Sequence, residues 1–140
     1  MKIKNKNGFT LFELLVSISI IGIMVALAVV SYSSAQKKAR DSRRIQDMQS
    51  VQKAAEMYYS QNNYAYPTTT GTWVAGNGET ILASYPIDPK GGNYTFPTTI
   101  TTSAYCICAY MEEGKGNSTT NACAFASSGT LNWYCVKNQQ

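Results

Sequence analysis

The 140-residue sequence contains no histidine, which removes the commonest general base and metal ligand available near neutral pH. Its eight acidic residues are scattered, and no pair is spaced for acid–base work. Proline is absent before Pro67, and no glycine lies between Gly22 and Gly71, so nothing in that stretch interrupts a helix. From Leu14 to Gln36 there is no charged side chain. Cysteine is absent until Cys106. These absences point away from an enzyme and from any cofactor, and toward a structural role.

What is present is unevenly placed. Leu14 to Val30 is apolar except for Ser17, Ser19 and Gly22, close to the roughly twenty residues that span a bilayer core. Lys2, Lys4 and Lys6 precede it; Lys37, Lys38, Arg40, Arg43 and Arg44 follow, opposed only by Asp41. The net charge of +4 therefore brackets an apolar segment. That placement fits anionic lipid headgroups better than nucleic acid, and no specific nucleic-acid partner is expected.

After Tyr32 the pattern changes to Ala35, Ala39, Ile45, Met48, Val51, Ala55, Tyr58 and Tyr59, mostly at the spacing of one helical face. The spacing predicts one continuous helix from about Phe9 to Asn62, ended by Asn62-Asn63 with Pro67 beyond. Past Pro67 the signals are those of strands: a weak one at Thr72–Val74, and better ones at Tyr94–Phe96, Thr98–Thr102, Tyr105–Tyr110 and Leu131–Val136. The fold class expected is α+β: a long N-terminal helix, membrane-spanning in one half and amphipathic in the other, packed on a small antiparallel sheet. The ten tyrosines are expected to pack helix against sheet with their hydroxyls at the edge.

Cys106, Cys108, Cys123 and Cys135 read as two disulfides in a small exported domain. Tetrathiolate zinc competes, but its usual spacing pairs cysteines two to four residues apart at both ends. Of three possible pairings, cross-strand geometry favours Cys106–Cys135 with Cys108–Cys123. Glu112-Glu113 reads as a solvated loop tip. Asp88, in the turn Asp88-Pro89-Lys90-Gly91-Gly92-Asn93, reads as a turn former rather than a calcium ligand. The triplets beginning at Asn93 and Asn117 match a glycosylation pattern by chance. No metal site is expected.

A lysine-rich leader before an apolar run also describes a discarded signal peptide, and Ala26-Leu27-Ala28 or Ser33-Ser34-Ala35 would serve as its cleavage site. Glu13 argues against that reading, because a charge inside such a run is costly and ordinarily has a partner. With its neighbours, Gly8-Phe9-Thr10-Leu11-Phe12-Glu13-Leu14-Leu15-Val16 followed by Ile20-Ile21-Gly22-Ile23, it resembles the N-terminus of the type IV pilin and pseudopilin superfamily.

The resemblance implies that a prepilin peptidase cuts between Gly8 and Phe9 and N-methylates Phe9. It also implies that Glu13 compensates the new amine of a neighbouring subunit during assembly. The implied organisation is a leader over 1–8, a transmembrane and filament-core segment over 9–36, an amphipathic half over 37–63 and a β-rich domain over 64–140. The implied partners are copies of the chain itself, the peptidase, an assembly platform and motor, and the cytoplasmic membrane before assembly into a surface filament. Alternatives within the family are a pseudopilin of a type II secretion system and a minor pilin that binds DNA. Tyr85–Asp88 with the turn to Tyr94 resembles pseudopilins. One departure is Val30, where many pilus-forming members carry a proline that lets the helix kink; Gly22 is the remaining soft point.

Overall fold

The computed structural model describes residues 8–94 and 101–140. Lys2, Lys4 and Lys6, most of the strand expected over 94–96 and part of that over 98–102 lie outside the described residues. The chain divides into two compact units, Met1–Gln36 and Lys37–Gln140. Helix α1, Leu11–Gln61, contributes to both. It runs through Gly22 and Val30 without a break, as expected where no proline removes a backbone donor.

In the first unit the large apolar side chains are exposed on every side, from 38% at Val16 to 90% at Phe9. This is the one stretch among the described residues long and apolar enough to cross a membrane. Its hydroxyls are satisfied internally: Ser17, Ser19 and Ser31 donate to the carbonyls of Glu13, Leu15 and Leu27. Serines bonded back to the preceding turn place no unsatisfied group on the apolar surface.

In the second unit α1 turns one stripe inward: Asp41, Arg44, Met48, Val51, Ala54 and Ala55 are buried. The helix ends where Asn63 and Tyr64 take positive φ of 53° and 58°. There the Tyr64 N–H donates to the Tyr59 carbonyl at 3.1 Å, and the Asn62 side-chain amide donates to the Tyr58 carbonyl at 3.0 Å. The left-handed turn suits asparagine and satisfies carbonyls that the last helical turn would leave open.

Among the described residues four short strands follow: β1 (Trp73–Val74), β2 (Thr80–Leu82), β3 (Cys106–Tyr110) and β4 (Trp133–Lys137). They form two antiparallel two-stranded sheets, β1 with β2 and β3 with β4. A pair of strands that short is marginal alone. Here the core gathers Met48, Val51, Ala54 and Ala55 of α1 with Tyr66, Trp73, Tyr94, Tyr105, Ile107, Ala109, Met111 and Val136. Burying each of the larger apolar side chains is worth about 1.5–3 kcal/mol. Tyr59 stacks on Tyr66 at 4.4 Å between centroids, and Tyr66 meets Tyr105 edge-on at 4.9 Å. Seven of the ten tyrosines lie in or against this core, as expected, whereas Tyr32, Tyr64 and Tyr110 are exposed.

The connection from β3 to β4 is held by side chains acting as backbone. Asn117 accepts the Cys135 N–H at 2.7 Å and donates to the Cys135 carbonyl at 2.9 Å, completing the ladder where no strand residue stands. Gly116 is pressed so closely to Trp133 that a Cβ would collide with the Trp133 carbonyl.

The disulfide pairing differs from the expected one: Cys106 joins Cys123 and Cys108 joins Cys135. Register explains the change. β3 and β4 set Cys108 opposite Cys135 and Cys106 opposite Lys137. Cys106 therefore finds no cysteine across the ladder and reaches the loop that carries Cys123, at a Cα–Cα distance of 6.0 Å.

Candidate functional site

The residues singled out at the N-terminus occupy one short, exposed segment. Gly8 and Phe9 precede the helix, both exposed and outside regular structure, and the space around Gly8 is open. A peptide bond so placed is accessible to a protease, which needs backbone not committed to a helix. Thr10 then opens α1. Its N–H and its hydroxyl both reach Glu13 Oε2 at 2.9 Å, and the Glu13 N–H returns to Thr10 Oγ1 at 3.2 Å. This is a reciprocal capping box, threonine at the cap and glutamate three residues on. The spacing Thr10-x-x-Glu13 before an apolar run is its sequence signal. The carboxylate also lies at the positive end of the helix dipole.

A second constellation lies in the Lys37–Gln140 unit, built from residues far apart in sequence. Glu112 is not a solvated tip. It accepts Arg40 at 2.7 and 2.9 Å, Arg44 at 3.0 Å and Lys90 at 2.9 Å. Arg44, whose side chain is 4% exposed, also donates to Asp88 at 2.6 and 3.0 Å and to Asp41 at 2.8 Å. Asp41 in turn accepts the backbone N–H groups of Glu112 and Glu113, each at 3.0 Å. Arg40 and Arg44 are therefore committed to carboxylates and do not belong with the headgroup-facing bases. Three cations and three anions cancel, and the cluster ties α1 to the Asp88 turn and to the segment after β3.

Its electrostatics follow from those contacts. Hydrogen bonds from Arg40, with Lys90 and Arg44 adding, hold the Glu112 carboxyl far below the ordinary range. The Arg44 guanidinium also lowers Asp88, against the opposing effect of burial. Arg44 itself is raised, first by its bonds to Asp88. Asp88 is a turn former as expected, accepting the Lys90 N–H at 2.8 Å. Both of its oxygens accept from the Arg44 guanidinium.

Two further carboxylates take up tyrosine hydroxyls. Glu56 accepts Tyr66, Tyr105 and the Gln139 N–H, at 3.0–3.2 Å, and Asp47 accepts Tyr94 at 2.6 Å. Burial foremost, with these carboxylates adding, pushes all three phenols above their usual value. Among the described residues, the potential metal cluster is Cys106, Cys108 and Cys123, and all three sulfurs are engaged in disulfides.

The N-terminal segment agrees with what comparison with known proteins shows. The family model described as the prokaryotic N-terminal methylation motif matches residues 3–29. The type IV wide pilus major component PilA4 of Thermus thermophilus is 30% identical over 107 residues, covering 76% of this chain and 74% of that protein. The chain belongs to the type IV pilin and pseudopilin superfamily. It is also similar to the type II secretion system core protein G of Pseudomonas aeruginosa, 28% identical over 86% of this chain and 94% of that one. The type IV major pilin protein PilE1 of Neisseria gonorrhoeae is 27% identical over 93% of this chain and 75% of its own length. No solved structure matches. As a pilin-type protein, the chain is a structural filament subunit processed by prepilin peptidase, anchored in a membrane by its apolar helix before it polymerises.

Proposed function

We propose that this subunit builds a type IV pilus-like filament at the cell surface, after cleavage between Gly8 and Phe9 and N-methylation of Phe9. The observation that carries this reading is the exposed Gly8–Phe9 segment leading directly into a helix whose apolar side chains are uncovered on every side. Such a surface is stable only among lipid tails or other apolar helices. Cleavage leaves a cationic amine on Phe9, and Glu13 supplies an anion one helical turn away. When helices bundle, an unpaired carboxylate is expensive and a paired one is tolerated, so pairing with a neighbouring copy's amine sets the register. An assembly platform and a motor on separate chains drive the process.

Intact-mass measurement and N-terminal sequencing of material sheared from cells test this reading. A start at Phe9 with one added methyl, in fibres, supports it; a start at Val29 or Gln36 contradicts it. Glu13→Ala is expected to leave a processed, membrane-bound monomer that assembles poorly, and a bulky residue at Gly8 is expected to block cleavage.

A second reading, a periplasmic pseudopilus, is favoured by the near-complete coverage of the secretion-system relative. Val30 in place of proline leans the same way. Absence of the protein from sheared fibres, with Phe9 still at the mature N-terminus, would select it.

A further inference from the structure

We propose that Lys37, Lys38 and Arg43 form a collar that docks the Lys37–Gln140 unit on anionic phospholipid headgroups while the subunit waits in the membrane. The inference rests on the membrane-anchored reading above and adds to it the lipid chemistry and the residues that recognise it.

Much of this unit's charge is already taken up within the fold. Arg40 and Arg44 are taken by Glu112, Asp88 and Asp41. Asp47 is held by Tyr94, Glu56 by Tyr66 and Tyr105, and Glu113 by Lys115 at 3.6 Å. Of the acids in this unit, Glu79 alone makes no side-chain hydrogen bond or ion pair among the described residues, and residues 95–100 carry no charge. Lys37, Lys38 and Arg43 are exposed and make no ion pair among the described residues. Five cations of this unit, Lys37, Lys38, Arg43, Lys53 and Lys137, thus have no ion-pair partner among the described residues, and three of them fall within seven consecutive positions of α1.

Their arrangement selects the partner. At roughly 100° per residue, positions 37, 38 and 43 point about 0°, 100° and 240° around the helix axis, so they encircle it rather than share a face. A nucleic-acid groove or a protein surface meets a helix along one side. Headgroups surround a helix that leaves a bilayer. The three bases also begin five residues after Tyr32, whose half-apolar ring is of the kind that favours the membrane interface. Anionic headgroups attract such juxtamembrane cations over about a Debye length.

Lysine acylation footprinting of the full chain tests this, in lipid nanodiscs of phosphatidylcholine alone or of phosphatidylcholine with phosphatidylglycerol. At low salt Lys37 and Lys38 are expected to react about fivefold more slowly in the anionic discs. Lys115 and Lys137 should be unaffected, which also reports that the unit remains folded. The protection should fade near 0.5 M salt, where the Debye length falls to about 4 Å, and should shrink in Arg43→Glu. Equal rates in both discs would overturn the collar alone. Protection by added duplex DNA in neutral discs, with none from phosphatidylglycerol, would overturn it in favour of nucleic acid. A chain that fails to enter either disc would overturn the anchoring reading and the collar together.

Discussion

Arg44 and Asp88 meet edge to edge, Nε 2.6 Å from one carboxylate oxygen and Nη2 3.0 Å from the other. They stand 44 residues apart in sequence, so this contact fixes the turn after β2 against the helix. Parallel donors matched to a carboxylate give geometric specificity that a lysine ammonium cannot reproduce.

Arg44→Ala should destabilise the Lys37–Gln140 unit by about 3–5 kcal/mol, because Asp41 and Asp88 lose the cation that compensates their burial. Arg44→Lys should recover only part of that. Denaturant unfolding of the full chain in micelles measures both, and full recovery by lysine would show that the fork geometry contributes nothing.

Acid should weaken the same cluster. The folded-state values of Glu112 and Asp88 are depressed. Their contribution is therefore complete above the unfolded carboxylate range near 4 and is lost as pH falls from there through the folded values. Stability followed from pH 6 downward should fall across that window. In Glu112→Gln the slope should be shallower, since one linked proton is gone; an unchanged slope would mean that Glu112 is not a linked group.

Gly116→Ala should be among the most damaging single-methyl additions, because the new carbon meets backbone at Trp133 that has no side-chain freedom to move aside. A loss of about 1–3 kcal/mol is expected, read as a lower Tm. Gly129→Ala supplies the comparison: its surroundings are open but its φ is 102°, so any cost there is backbone strain alone.

The two disulfides should differ in reactivity. Cys108 and Cys135 are buried, whereas Cys106 and Cys123 are partly exposed. Limited treatment with a dithiol followed by alkylation should label Cys106 and Cys123 first, since exchange requires access to sulfur. Simultaneous labelling of all four would show that opening of the whole hairpin controls reduction.

How much of this was legible depended on distance along the chain. The helix expected from Phe9 to Asn62 and observed over Leu11–Gln61 was readable because its signals, apolar periodicity and missing breakers, are local. So were β3 and β4, and so was the Gly8–Glu13 segment, whose residues are contiguous. β2 carried too few residues to stand out, and was missed. The disulfide pairing turned on a two-residue register that no local pattern states. Glu112 looked like a loop tip because its partners, Arg40 and Arg44, lie 72 and 68 residues away; only Asp41 to Arg44, at three positions, had a helical spacing to reveal it.

The cancellation of charge inside the Arg44 cluster matters most when copies accumulate. A polymer repeats whatever charge its subunit leaves unbalanced. The cluster contributes nothing to that sum, while Lys37, Lys38, Arg43, Lys53 and Lys137, set against Asp47, Glu56 and Glu79, leave a small positive remainder in every copy. A filament of such subunits repeats that small positive remainder along its length. Its counterion atmosphere, and with it the tendency of fibres to repel or bundle, follows the salt around it rather than any rearrangement of the fold.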